Sequence, residues 1–485
     1  MRNSRRIKIL APCGILGYGY PRESFLNGMA QKPDAIVVDA GSTDAGPHKL
    51  GAGTAIVSRH ACKKDLSLMI TEGAKAGIPV IIGSAGGSGG KVHVEWTWDI
   101  IREILEENGL EEMRTGILWA DIPKAVVRER MREGKVFPLG AAVRELTEKR
   151  LEETTGIVAQ MGHEPVVEAL RQGYRLIICG RAYDPSPFAA VAIYHGLPAA
   201  YGYHAGKILE CAALCAVPGT TKDCMLGEIW EEGFRIMPLS KERRCTSLSV
   251  AAHTFYEKDH PYILHGPGTV LNLENCSFEE LGDGSVAVTG SRIEETEKYY
   301  VKLEGARLAA YRTFVAAGVR DPIFISRIRE IEEAAQRQVE AYYSEIPKES
   351  YTIHFMNYGI DAVMGELEPL RDELPHEVGI LFEVLADSQE TADTVCGSLR
   401  SSLLHYGYEG RKATAGNLAF PFAPSDVSFG AVYEFSVYHL MEVKDGQEMF
   451  PLEDVTIRQQ PDAVREDGRR TKPGERKAAE PKGEV

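Results

Sequence analysis

Short apolar runs alternate with helix-spaced apolar residues from residue 7 to about residue 200. The runs are Ile7–Pro12, Ala35–Asp39, Ile78–Ile82, Thr115–Trp119, Gly156–Gln160 and Arg175–Cys179. Between them lie Lys64–Lys75, Thr97–Asn108, Ala125–Glu133 and Glu164–Gln172, with apolar residues three and four apart, as at Ile100, Ile104 and Leu105. Continuous apolar strands alternating with helices predict a mainly parallel α/β sheet with helices on both faces. Six strands fit an open doubly wound sheet or a closed barrel, and the pattern leaves both open.

The pattern then changes. Residues 203–217 read as an apolar helix carrying one carboxylate, Glu210. Ser247–His253, Thr269–Leu273, Val286–Thr289 and Tyr299–Leu303 read as strands, so 247–305 is expected to be β-rich. Helical spacing returns at Arg307–Ala317 and Arg327–Tyr343. Tyr351–Met356, Gly379–Ala386 and Ala431–Val443 read as strands around a helix at Thr391–Tyr406. These expectations divide the chain into an α/β domain (1–345) and a ferredoxin-like α+β domain (346–450). A polar tail at 459–485, without apolar periodicity, is expected to be disordered.

Composition narrows the function. The 485 residues are too many for one ordinary core. A net charge of −15 argues against nucleic acid or an anionic membrane as partner. The nine Cys, an odd number at irregular spacings, fit a reducing compartment better than a disulfide framework. No apolar stretch reaches the roughly 18 residues needed to span a bilayer. A cytoplasmic protein is expected.

Two strand ends carry the clearest chemistry, because ligands of open α/β sheets bind at the carboxyl ends of strands. Asp39-Ala40-Gly41-Ser42-Thr43-Asp44 ends one strand. Asp39 and Asp44 are candidate acid–base groups or metal ligands, and Ser42 and Thr43 candidate substrate contacts. A purely local helix N-cap explains the same residues. Gly83–Gly90 ends the next strand and nearly matches a Walker phosphate loop through Gly90-Lys91, but Val92 stands where the magnesium-binding hydroxyl belongs. The loop's Ser84, Gly86, Gly87 and Ser88 offer polar groups to a carboxylate, a phosphate or the pyrophosphate of CoA. The dinucleotide pattern is broken at Val92, so no NAD is expected.

Arg181 and Asp184 end a third strand. Arg181 can pair with a substrate carboxylate, or with Asp184 to fix the turn. A buried Glu210 would have a raised pKa suited to proton transfer. His253, read at a strand end with Tyr256 nearby, is the best single candidate for proton transfer near neutral pH. No Cys/His spacing marks a structural zinc site, and no G-x-S-x-G elbow marks a serine hydrolase. A divalent metal stays open.

Several segments together resemble the acyclic terpene utilisation (AtuA) family. They are Asp39–Asp44 with Gly46-Pro47, Gly180–Pro185, Leu209-Glu210-Cys211, Ala252–Glu257 with Pro261-Tyr262, Gly290-Ser291-Arg292, Val301–Gly305 and Pro421–Asp426. The resemblance implies a large N-terminal domain joined to a ferredoxin-like one. It also implies a role in the breakdown of branched or carboxylated compounds, often as acyl-CoA derivatives, and a small separate partner protein (DUF4387 type). With the residues above, the expected activity is a hydro-lyase on a small hydroxy- or unsaturated carboxylate or its CoA ester, in a homo-oligomer. A hydrolase or acyl-CoA lyase on similar substrates, or a ligand-binding subunit that needs its small partner, are the alternatives.

Overall fold

A computed structural model describes residues 5–41, 46–257 and 260–457. The apolar runs of the first half build one ten-stranded mixed sheet. Its order is Ser277–Glu280, Val286–Thr289, Gly233–Pro238, Met225–Trp230, Ile7–Ala11, Ala35–Asp39, Val80–Gly83, Leu176–Cys179, Thr115–Leu118 and Leu452–Asp454. The stretch from Ile7–Ala11 to Thr115–Leu118 is parallel throughout. Alternate residues of these strands enter two cores: Val37, Ile81 and Ile177 face one, and Ile36, Val38, Ile82 and Ile178 the other. Both faces are covered, which is why the runs are apolar without a break.

The expectation of a mainly parallel sheet holds for this centre and fails at both flanks. Met225–Trp230 runs antiparallel to Ile7–Ala11, and Gly233–Pro238 antiparallel to Met225–Trp230. Only Glu231 and Glu232 connect those last two strands, and a connection that short permits only antiparallel pairing. Leu452–Asp454 returns antiparallel to Thr115–Leu118 at the far edge. The sheet is open, not a barrel.

A second sheet has the order Tyr351–Tyr358, Val378–Ala386, Tyr299–Val319, Asp426–Val443 and Val136–Pro138, all neighbours antiparallel. Helices Ile328–Tyr342 and Gln389–His405 supply Ile331, Val339, Val395 and Leu399 to a third core against it. The expected strand at Gly156–Gln160 forms as Thr154–Ala159. It pairs with Tyr299–Val319 rather than with the parallel sheet. A strand's own alternation names its faces and not its neighbour.

Three other local expectations are corrected. Ser247–Thr254 is a helix, not a strand. Thr246 and Ser249 form a reciprocal capping box at its start, with both side-chain-to-backbone bonds at 3.0 Å. Arg307–Ala317 is not helical but lies inside the strand Tyr299–Val319. Its Ala-rich sequence suits a helix in isolation, yet strands pair along both of its edges there, and tertiary pairing outweighs propensity. The helix expected over 203–217 spans Ala199–Leu209 and is followed by a short 3-10 turn at Ala212–Cys215. Glu210 is therefore the helix C-cap and not a mid-helix residue.

Within 247–305, Thr269–Asn272 sits in a small sheet with Ile263–Gly266 and Arg292–Glu295, while Ser277–Glu280 and Val286–Thr289 extend the large one. All nine Cys are free. Among the described residues, no helix is long and apolar enough to cross a membrane. The tail at 459–485 lies outside the described residues.

Candidate active site

The loop Gly83–Gly90 is folded on itself and buried. Ala85 N–H donates to Cys179 at 2.9 Å, Gly87 N–H to Ser84 at 2.9 Å and Gly89 N–H to Ala85 at 3.2 Å. Ser84 is fully buried with φ of 45°, a strained value for a residue with a side chain. Gly89 has φ of +64°, and a Cβ there would collide with the Arg181 backbone nitrogen. Gly89→Ala is thus expected to cost about 2 kcal/mol or more through combined clash and strain. The urea midpoint at constant slope measures it.

Beyond the loop, the Lys91 N–H donates to Asp121 Oδ1 at 3.0 Å, and the Lys91 ammonium lies at the surface 3.8 Å from Glu95. Gly86 packs against His93. Gly87 and Ser88 line a cavity of about 150 Å³ together with Arg181, Glu304, Phe435 and Tyr438.

Arg181 is the hub between the loops. Its Nη1 donates to Ser84 Oγ, the Ala182 carbonyl and Asp184 Oδ1, each at 3.0 Å. Its Nε donates to Glu304 Oε2 at 3.0 Å. Glu304 also receives Lys302 at 2.9 Å and Gln160 at 3.2 Å. Burial alone would raise the Glu304 carboxyl, but Arg181 and Lys302 hold it down at about 2. The turn-fixing pair with Asp184 is present, and the guanidinium is committed to protein groups on both sides.

Asp39, Glu210 and His253 form the electrostatic centre. Asp39 ends its strand 4% exposed, and its Oδ1 has no hydrogen-bond partner. Burial and the neighbouring Asp184 push its carboxyl well up, against the pull of Arg181. Glu210 Oε1 accepts from Lys207 Nζ at 2.6 Å, while its buried Oε2 has no partner. Burial raises it to about 7, with Lys207 opposing and Asp184 adding to the rise. His253 Nε2 is also buried without a partner. Burial, and then Lys207, lower the imidazole to about 4, so it is neutral at pH 7. Its ring stacks on Tyr256 at 5.5 Å, and Lys207 Nζ sits 5.9 Å from the same Tyr256 ring.

His204 fastens this arrangement from behind. Its ring nitrogens meet Ser291 Oγ at 2.7 Å and Thr254 Oγ1 at 3.0 Å. The helix bearing His253 is thereby tied to the helix bearing Lys207.

The structure thus brings Asp39, Ser84, Arg181 and Asp184 together, and couples Glu210 electrostatically to Asp39 and Asp184. Ser42, Thr43 and Asp44 lie outside the described residues. Lys207, Tyr183 and Glu304 escape the sequence reading. Lys207 stands three residues before Glu210, a spacing that places two helical side chains together. Burial and Glu210 raise the Tyr183 phenol, so its hydroxyl belongs to the same field. Glu304 carries little local sign, since besides the nearby Lys302 its partners Arg181 and Gln160 are 123 and 144 positions away. Among the described residues, no group of three or more His, Cys, Asp or Glu is arranged to hold a metal ion.

No curated protein and no solved structure matches the chain. A family model, the acyclic terpene utilisation family protein AtuA, matches residues 59–425. That span holds the glycine loop, Arg181, Lys207, Glu210, His253 and Glu304, and the chain belongs to the AtuA family.

Proposed function

We propose that this protein is a catabolic hydro-lyase for a small hydroxy- or unsaturated carboxylate, or its CoA thioester. One observation carries the reading: Glu210 Oε2 and His253 Nε2 are buried, unpartnered and share the field of Lys207, and Asp39 Oδ1, also buried and unpartnered, is coupled to Glu210. An unmet buried polar atom costs about 1–3 kcal/mol. Three of them in one electrostatic cluster fit a site whose partners arrive with the ligand.

Dehydration needs a base for the carbon-bound proton and an acid for the departing hydroxyl. Glu210, raised to about 7, is ionised often enough near neutrality to take the proton at Oε2. The C–H electron pair becomes the new double bond as the C–O bond breaks. Asp39, whose carboxyl is pushed well up by burial and then by Asp184, gives its proton to the leaving hydroxyl, which departs as water. The Lys207 ammonium stabilises negative charge developing on the substrate carbonyl. Neutral His253 contributes one hydrogen bond from Nε2. Arg181 holds Ser84 and Asp184 in place around them.

The catabolic role is supported by membership of a family described by terpene utilisation. We read the succession strand, helix, strand, strand, helix, strand from Tyr299 to Val443 as its ferredoxin-like layer.

The test is proton exchange. The full chain is incubated in D₂O with a panel of hydroxy- and enoyl-carboxylates and their CoA esters. Deuterium entering the carbon next to the carbonyl, seen by NMR, is the expected result. Exchange that persists in Glu210→Gln overturns the assignment of the group that takes the carbon-bound proton.

A further inference from the structure

Another buried carboxyl lies far along the chain from this site. Glu332, on the helix Ile328–Tyr342, is 5% exposed, and Asn357, on the strand Tyr351–Tyr358, is also 5% exposed. Asn357 Nδ2 donates to Glu332 Oε2 at 3.3 Å. The remaining atoms of the pair, Glu332 Oε1 and Asn357 Oδ1, are both buried and both without partners. Both are acceptors when the carboxyl is ionised. A carboxylic acid and a primary amide close a reciprocal pair of hydrogen bonds only when the acid keeps its proton. Turning the amide over exchanges its two ends and leaves the same requirement.

The segment behind this pair is anchored through the same residue. The Asn357 carbonyl accepts N–H bonds from Ile360 at 3.0 Å and from Asp361 and Ala362 at 3.2 Å. Asp361 in turn pairs with Arg329, one helical turn before Glu332. The segment then displays Val363 at 84% and Leu367 at 79% exposure before the chain re-enters the sheet at Val378.

We propose that Glu332 is held as the neutral acid, its proton bridging Oε1 to Asn357 Oδ1, and that loss of this proton releases the 359–377 segment from its anchor. The charged groups facing Glu332 are Arg329 and Glu333 from its own helix and Asp361 from the segment. Arg329 favours the ionised form, whereas Asp361 and Glu333 oppose it. Burial is the largest influence and, with Asp361 and Glu333, lifts the carboxyl to about 7 against the Asn357 amide bond and Arg329.

The sign follows from proton uptake. The closed segment binds a proton that the open one, with an ordinary carboxyl near 4.3, releases. Opening therefore becomes more favourable by about tenfold per pH unit between about pH 4.3 and 7, then levels off. Hydrogen exchange of the full chain, corrected for intrinsic rates, measures this at the amides of 360–377. In Glu332→Gln, which keeps a donor at that position, the slope is expected to vanish. In Asn357→Asp, two carboxyls share one proton, and the loss of protection moves to higher pH. A flat wild-type profile overturns the proposal. So does a slope unchanged in Glu332→Gln or, if that variant does not fold, a profile unshifted in Asn357→Asp.

Discussion

Arg181→Met is expected to cost about 3 kcal/mol of folding stability, the lower part of the range for breaking a buried ion pair. Arg181 is 4% exposed and Glu304 9% exposed, so water cannot replace the guanidinium at the carboxylate. Lys302 still reaches Glu304 at 2.9 Å, which keeps the loss from the upper part of the range. Asp184 is more exposed and rehydrates at little cost. Arg181→Lys rescues poorly, because a point charge cannot serve Ser84 and Glu304 on opposite sides of one planar fork. Urea unfolding reads the difference at constant slope.

The pH dependence gives an independent check. The Glu304 carboxyl lies at about 2 when folded and near 4.3 when unfolded. Its contribution is present above the unfolded value and is lost as pH falls from about 4.3 to 2. In Arg181→Met that acid-side loss shrinks, because the folded carboxyl moves back toward its ordinary value. An acid limb identical to the wild type would contradict the assignment of Arg181 as the main partner.

Glu210→Gln is expected to lower turnover by about 10²- to 10⁴-fold, the usual share of a general acid or base. The substitution keeps the size of the side chain and removes its titratable carboxyl. The limb near pH 7 in the kcat/KM profile should disappear with it. Stability changes in a distinct way. A carboxyl raised in the folded state makes stability fall as pH rises from about 4.3 to 7. Glu210→Gln removes that fall and leaves the Lys207 ammonium buried without its counter-ion, 9% exposed. Turnover unchanged within twofold would place the proton transfer elsewhere.

The centre of the large sheet was legible because its strands are buried on both faces, and such strands write themselves as unbroken apolar runs. Asp39, the glycine loop and Arg181 were legible for a related reason: each ends one of those runs. The Arg181–Asp184 pair followed from its three-residue spacing. The misread elements are those whose state is decided by something distant. Arg307–Ala317 has helical spacing, yet it is a strand because Val378–Ala386 and Asp426–Val443 flank it. Ser247–Thr254 is short and apolar, and its helical state rests on the Thr246 capping box, a two-residue signal that is easily passed over. The antiparallel flanks come from segments with weak alternation, held by turns rather than by pattern. Lys207 was within reach through its spacing from Glu210. Glu304 was not, because nothing near it in sequence distinguishes a buried, triply bonded carboxylate from one facing solvent.

The strand Tyr299–Val319 passes from one core into another, with Val301 and Leu303 in the first and Val315, Ala317 and Val319 in the third. Its pairing with Asp426–Val443 changes register between Gly305 and Ala306, Leu308 and Ala310, and Arg312 and Thr313. Each irregularity acts as a notch that keys the two ribbons together. A slip of two residues would carry Glu304 about 7 Å past Arg181, and the notches block it. The keyed ribbon carries Glu304 near one end and the core shared with helices Ile328–Tyr342 and Gln389–His405 near the other, so the register that packs those helices also sets where Glu304 meets Arg181.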